Sequence, residues 1–278
     1  MIIAGLIILG LAFGSFVNAL VWRMWQQSLP VKKRAASKQE LSIVSGRSMC
    51  PDCKHVLSWY DLLPFISWAM LGARCRYCKK PIHWQYPLLE VSMAGLFVAS
   101  YVFWPTELAS VSSLVMFVVW LMSLVGLAAL AVYDTRWMLL PNRLVFSVGM
   151  IAAVGVVNRL IASDDALRSL LMTMGAVAVG GGIFYILFQL SSGRWIGGGD
   201  VKLGLVLGLL LASPAQAFLM LFLASLLGLV VALPGVIAHR TSSTTKIPFG
   251  PFLIGATIIT QLFGQSIIDW YAVTFLYM

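Results

Sequence analysis

Two aspartates and four cysteines stand out in an otherwise apolar sequence. Asp134 closes the charge-free run 108–133 in Tyr133-Asp134-Thr135-Arg136, and Asp200 lies in Gly197-Gly198-Gly199-Asp200-Val201-Lys202. Ionisable groups beside apolar segments are costly to desolvate and point to function by default. Two carboxylates brought together in a partly dry site cannot both ionise cheaply, so one keeps its proton. Such a dyad can take a proton from water and give one to a leaving amine. That is general acid–base hydrolysis of a peptide bond, with no metal and no covalent intermediate. Gly197 and Gly199 would let backbone approach an extended substrate closely. Lys202 could stabilise an ionised Asp200, though snorkelling at a membrane interface is the simpler reading.

Other chemistry fits the same acids. Asp134 and Arg136 could form a plain interfacial ion pair. Paired acids also serve as proton or ion relays in transporters. Transporters tend to repeat their halves and to break helices near mid-membrane, whereas these acids border apolar runs. The boundary position favours a peptidase over a proton-coupled transporter.

The cysteines occur as Cys50-Pro-Asp-Cys53 and Cys75-Arg-Tyr-Cys78. Two C-x2-C knuckles can complete one tetrahedral Zn²⁺ site. Redox-active or metal-free thiols are the alternative, and a reducing compartment argues against disulfides. Four thiolate ligands leave no position for a catalytic water, so the zinc expected here is structural. His55 and His83 are nearby but unnecessary as ligands.

Composition decides which elements must carry these residues. The chain has 278 residues, of which 60% are hydrophobic and 10% charged, against about 45–50% and 25% in soluble domains. Most of its surface must face lipid, which excludes a soluble enzyme and a secreted disulfide-rich module. The net charge of +9 would suggest nucleic acid in a soluble protein. In a membrane protein it reports which loops stay in the cytoplasm, so no nucleic-acid partner is expected.

No charge occurs before Arg23. Residues 1–22 therefore read as a first transmembrane helix with its N-terminus outside, not as a cleavable signal peptide. Residues 23–87 hold eleven Lys/Arg against Glu40, Asp52 and Asp61, a balance of +8, and read as a small cytoplasmic insert. Residues 88–278 read as a seven-helix membrane domain, because charge-free stretches fill 91–106, 108–133, 144–158, 169–193, 203–238 and 247–268. The stretch 203–238 is too long for one span, and Ser213-Pro214 offers a turn that splits it.

The expectation is an all-α polytopic protein of about eight transmembrane helices, with a zinc-binding insert between the first two. Both termini would lie outside. Arg136 with Arg143, Arg194 with Lys202, and Arg240 with Lys246 would then lie in inner loops. Asp134 and Asp200 fall on that same cytoplasmic side. Gly180-Gly181-Gly182, inside a span, suits close helix packing.

The assembled motifs resemble the bacterial type IV prepilin leader peptidase/N-methyltransferase family. Gly14-Ser15-Phe16-Val17-Asn18 followed by Arg23 is similar to its GSFxN opening. Arg47-Ser48-Met49-Cys50-Pro51-Asp52-Cys53, Trp59-Tyr60-Asp61-Leu62-Leu63-Pro64 and Gly72-Ala73-Arg74-Cys75-Arg76-Tyr77-Cys78 resemble its cysteine region. Tyr86-Pro87-Leu88-Leu89-Glu90 continues the pattern, and Gln85 stands where the family often has a basic residue. Asp134 with Pro141-Asn142, Gly197 to Lys202, and Lys246-Ile247-Pro248-Phe249-Gly250-Pro251-Phe252 resemble its later segments. GxGD alone also occurs in presenilin-like proteases; the ordered set is more specific.

The resemblance implies that Asp134 and Asp200 are the catalytic pair of a GxGD-type aspartyl peptidase in the bacterial inner membrane. It implies cleavage of short basic leaders from type IV prepilins and type II secretion pseudopilins, at the cytoplasmic face. It also implies methylation of the new N-terminal residue with S-adenosylmethionine, whose site no motif places. The insert implies the bifunctional form. A membrane-bound assembly scaffold is a further reading.

Overall fold

A computed structural model of the chain describes residues 1–37, 39–43, 45–237 and 247–276. Every regular element among them is helical. Arg240 and Lys246, assigned above to an inner loop, lie outside the described residues. Two compact units divide the chain, Met1–Val102 and Phe103–Met278.

The first unit contains α1 (Ile2–Ser28), the short α2 (Ile66–Met70) and α3 (Gln85–Val102). α1 continues past the expected boundary at Trp22. Its last turns carry Arg23, which is buried and donates to the carbonyls of Ser42, Ile43 and Gly46 at 2.9, 3.2 and 3.0 Å. A buried guanidinium thus organises the loop after α1 through backbone oxygens. α1 and α3 meet along an apolar seam of Val17, Leu20, Val21, Met93 and Phe97, all buried. Polar bonds extend that seam: Asn18 donates to the Tyr86 carbonyl at 3.2 Å, and Gln85 donates to the Asn18 side chain at 3.4 Å.

The second unit runs through α4 (Val111–Trp137), α5 (Asn142–Ala162), α6 (Ala166–Val177), a π-helical turn (Ala178–Gly182), α7 (Ile183–Ser191), α8 (Gly198–Leu211), α9 (Pro214–Ile237) and α10 (Gly250–Tyr271). Polar residues punctuate it. The Ser110 hydroxyl accepts the Ser113 N–H at 3.1 Å before α4, and Asp165 accepts the Arg168 N–H at 2.9 Å before α6. These satisfy N-terminal amides that no helix bond reaches. Phe146, Met150, Phe218 and Phe222 are exposed on the outer surface, as suits helices solvated by lipid.

Among the described residues, six helices are long and apolar enough to cross a membrane: Ile2–Ser28, Val111–Trp137, Asn142–Ala162, Ala166–Ser191, Pro214–Gly235 and Gly250–Phe275. The expected count of eight would also require α3, of 18 residues, and α8, of 14. At 1.5 Å per residue α8 reaches only about 21 Å, short of a ~30 Å hydrocarbon core.

The stretch 203–238 breaks at Ser213-Pro214. Ala212 takes a left-handed conformation, φ 51°, and its N–H closes α8 on the Gly208 carbonyl at 2.9 Å. The Gly180-Gly181-Gly182 triplet forms the π-helical turn and lies against α8. A Cβ on Gly180 would come within 2.7 Å of the Gly204 carbonyl oxygen, so any larger residue would push these segments apart.

Candidate active site

Three helix ends converge on the two acids. Asp134 lies in the last turn of α4, which Met138 terminates at φ 52° with its N–H on the Asp134 carbonyl at 2.7 Å. The Asp134 side chain is buried, 5% exposed. Its Oδ2 accepts the backbone N–H of Gly250 at 3.1 Å. Gly250 is the first residue of α10, and a Cβ there would stand 2.7 Å from the same oxygen. Glycine at this position is what lets the helix N-terminus reach the carboxylate.

Asp200 is the third residue of α8 and half-buried. Its carboxylate is turned back toward Gly197, the N-cap. Asp134 lies within electrostatic reach of Asp200. The N-terminal ends of α8 and α10 therefore both face carboxylates, where their dipoles favour negative charge. Two carboxylates within electrostatic reach of one another, beside a fixed backbone donor, are an arrangement that can activate water and protonate a leaving amine.

The other expected site residues have distinct positions. Gly197 has an ordinary φ of −74°, so its role here is room, not dihedral freedom; a Cβ would meet the Asp200 carboxylate at 3.3 Å. A Cβ on Gly199 would meet Leu140 at 3.2 Å. Lys202 is exposed and donates to the Asn142 side chain at 2.9 Å. It ties α8 to the start of α5, which snorkelling does not describe. Arg136 lies over the Trp137 ring, 5.9 Å from its centroid.

In the first unit, Cys50, Cys53, Cys75 and Cys78 offer thiol sulfurs that all lie within 4.8 Å of one another. The two knuckles repeat one another. Lys54 and Lys79 follow the second cysteine at φ 60° and 59°. Their N–H groups donate to the carbonyls of Cys50 and Cys75 at 2.9 and 3.0 Å. Cys50 and Cys75 in turn donate to His55 and Lys80 at 3.0 and 2.8 Å.

Cys50 and Cys78 are 3.9 Å apart at sulfur, near the ~3.8 Å edge of a tetrahedron with Zn–S bonds of about 2.3 Å. Burial pushes the Cys50 thiol up to about 12. At Cys75 burial also raises the value, but the N–H groups of Cys78 and Tyr77 bring it down to about 7. The four sulfurs could hold a metal ion. The histidines take other partners: His55 lies against the Tyr77 ring, tilted 31° with centroids 3.7 Å apart, and the His83 Nδ1 accepts the Gln85 N–H at 3.1 Å.

Sequence reasoning quoted Gly250 and Asn142 only within family-like segments and gave neither of them a role. The signal for the first was Gly250-Pro251, a helix start in which proline occupies an early position and leaves neighbouring amides to seek acceptors.

Fold and site together describe a multi-pass helical membrane protein in which Asp134 and Asp200 come within electrostatic reach of one another where helices end. Residues 8–104 match the Bacterial Peptidase A24 N-terminal domain, and residues 121–233 match the Type IV leader peptidase family. The chain is similar to a prepilin leader peptidase/N-methyltransferase of Bacillus subtilis, at 32% identity over 83% of this chain and 87% of the relative. A protein of the same description from Pseudomonas aeruginosa is 32% identical over 95% and 91%. Another from Myxococcus xanthus is 34% identical over 88% and 68%. The chain belongs to the type IV leader peptidase family. No solved structure matches it.

Proposed function

We propose that this protein removes basic leader peptides from type IV prepilins and pseudopilins, with Asp134 and Asp200 as the catalytic pair, and then methylates the exposed N-terminus. The observation that carries the reading is the convergence of both carboxylates with the Gly250 amide in a protein of this family. One carboxylate, ionised, draws a proton from the attacking water. The other, protonated, donates to the departing amine. Backbone amides at the ends of α8 and α10 hold both side chains in place.

The site lies at the bilayer's inner boundary, in a bacterial inner-membrane protein with both termini outside, in which α3 and the short α8 complete eight membrane segments with the six long ones. A prepilin-type substrate suits that depth, since its basic leader stays in the cytoplasm and its apolar helix enters the bilayer. The insert at 23–87 is cytoplasmic and holds one structural zinc on its four cysteines; seven spans make up 88–278. Its excess of basic residues favours contact with anionic lipid, at about 1 kcal/mol per Lys/Arg near the surface. S-adenosylmethionine supplies the methyl group. The described residues contain no strand, so a strand–turn–helix cradle of the Rossmann kind does not hold it.

Incubation of the detergent-purified protein with a prepilin tests the reading. Leader loss should occur without added metal and stop in Asp134→Ala and Asp200→Ala, and labelled S-adenosylmethionine should mark the cleaved product. An unprocessed prepilin with the native protein would overturn it.

A further inference from the structure

A cavity of about 600 Å³ opens at the end of the second unit away from the carboxylates. Arg159 enters it from the last turn of α5, Gln216 from the first turn of α9, and Gln261 from the second half of α10. Asn142, which meets Lys202 beside the active site, is at the opposite end of α5.

Arg159 is the one charged residue in the cavity wall. Two of its five N–H donors go to the carbonyls of Leu209 and Leu210, at 3.1 and 2.6 Å. These belong to the C-terminal turn of α8. Carbonyls and a helix dipole offset a guanidinium only in part. A charge removed from water needs a counter-charge. The ion pairs among the described residues, Arg76–Asp61 and Lys80–Asp52, belong to the other unit.

Asp269 of α10 is exposed and accepts the amide of Gln265, itself a wall residue, at 2.8 Å, and so does not reach Arg159 as an ion pair. The wall also includes Trp104, whose buried indole N–H has no acceptor among the described residues. Among the described residues, no carboxylate forms an ion pair with Arg159. Phe103 and Phe263, exposed and in ring contact at 5.1 Å, form an apolar lip.

We propose that this cavity binds the phosphate of a phospholipid headgroup, at the membrane face opposite Asp134 and Asp200. Arg159 holds phosphate oxygens through its remaining donors, the Gln216 and Gln261 amides bond the phosphate or glycerol oxygens, and acyl chains lie along the aromatic lip. The assignment is independent of the peptidase reading.

Native mass spectrometry of the delipidated full chain tests it, with dioctanoyl phosphatidylglycerol, dioctanoylglycerol and inorganic phosphate as separate probes. Phosphatidylglycerol should bind saturably and at least tenfold more tightly than dioctanoylglycerol. Because loss of Arg159 would strand the α8 carbonyls, Arg159→Lys and the double variant Gln216→Leu/Gln261→Leu are the informative changes. Each should weaken the lipid about tenfold while leader cleavage continues. Inorganic phosphate that competes as well as the lipid would keep the phosphate site and assign it to the free anion. Equal binding of the two lipids, or undiminished binding in both variants, would overturn the proposal.

Discussion

The two units hold their reactive groups in opposite ways. In Met1–Val102, each pair of thiols is presented by a single turn, and the two turns share the same backbone bonds and the same left-handed lysine. In Phe103–Met278, the acids come from different helices, and the amide that positions Asp134 comes from a third. A site of local turns depends on its own few residues and on whatever ion joins them. A site assembled from distant helix ends depends on packing throughout the membrane bundle. Damage should therefore spread differently in the two units.

The largest effect should follow from the acids themselves. Asp134→Asn and Asp200→Asn preserve shape but remove the acid–base function. Each should lower leader cleavage about a thousandfold or more, with the metal content of the insert unchanged. Next comes Gly250→Ala, whose methyl would crowd the Asp134 carboxylate. A displacement of this kind should cost about a hundredfold in kcat, with a thermal melt showing the bundle still folded. A wild-type rate would mean that the Gly250 amide has no part in the site.

Substitution of any one cysteine by serine should release the zinc proposed for the four thiols and loosen the insert to limited proteolysis. Cleavage should suffer less than in Gly250→Ala, since the acids sit in the other unit. An equal loss would break the distinction drawn above. Lys202→Met removes one hydrogen bond to Asn142 and should cost about 1 kcal/mol of stability, read as a lower Tm.

The smallest effect concerns acid. At Asp61, burial acts to raise the pKa, but hydrogen bonds from Arg76, Tyr77 and the Ser58 amide hold it below the ordinary value. A depressed folded-state pKa contributes stability that is present above the unfolded value, about 3.9, and is lost as pH falls through the folded one. Asp61→Asn should thus be less stable than the native insert at neutral pH, with the gap closing in acid. A gap independent of pH would detach it from the Asp61 charge.

How much could be read in advance follows the same division. The cysteine cluster was legible because C-x2-C places its sulfurs within one turn. Residue type also revealed the break at Ser213-Pro214, since proline ends one helix and starts another. Charge order placed Asp134 and Asp200 beside apolar runs. It could not disclose that α10 would deliver the Gly250 amide, because that bond joins residues far apart in the chain. Lys202 looked like an interfacial lysine, and only the packing of α8 on α5 gives it Asn142. The extension of α1 to Ser28 was hidden for a similar reason: Arg23 resembles a membrane-end marker, yet its side chain turns onto the loop carbonyls of Ser42, Ile43 and Gly46.

The central claim is that Asp134 and Asp200 act as one unit. Single-turnover leader cleavage by Asp134→Asn, by Asp200→Asn and by the double variant tests it most directly. Residues that act together are non-additive, so the double variant should be no slower than either single one beyond about tenfold. Losses that multiply in the double variant, or full cleavage by either single variant, would contradict the account.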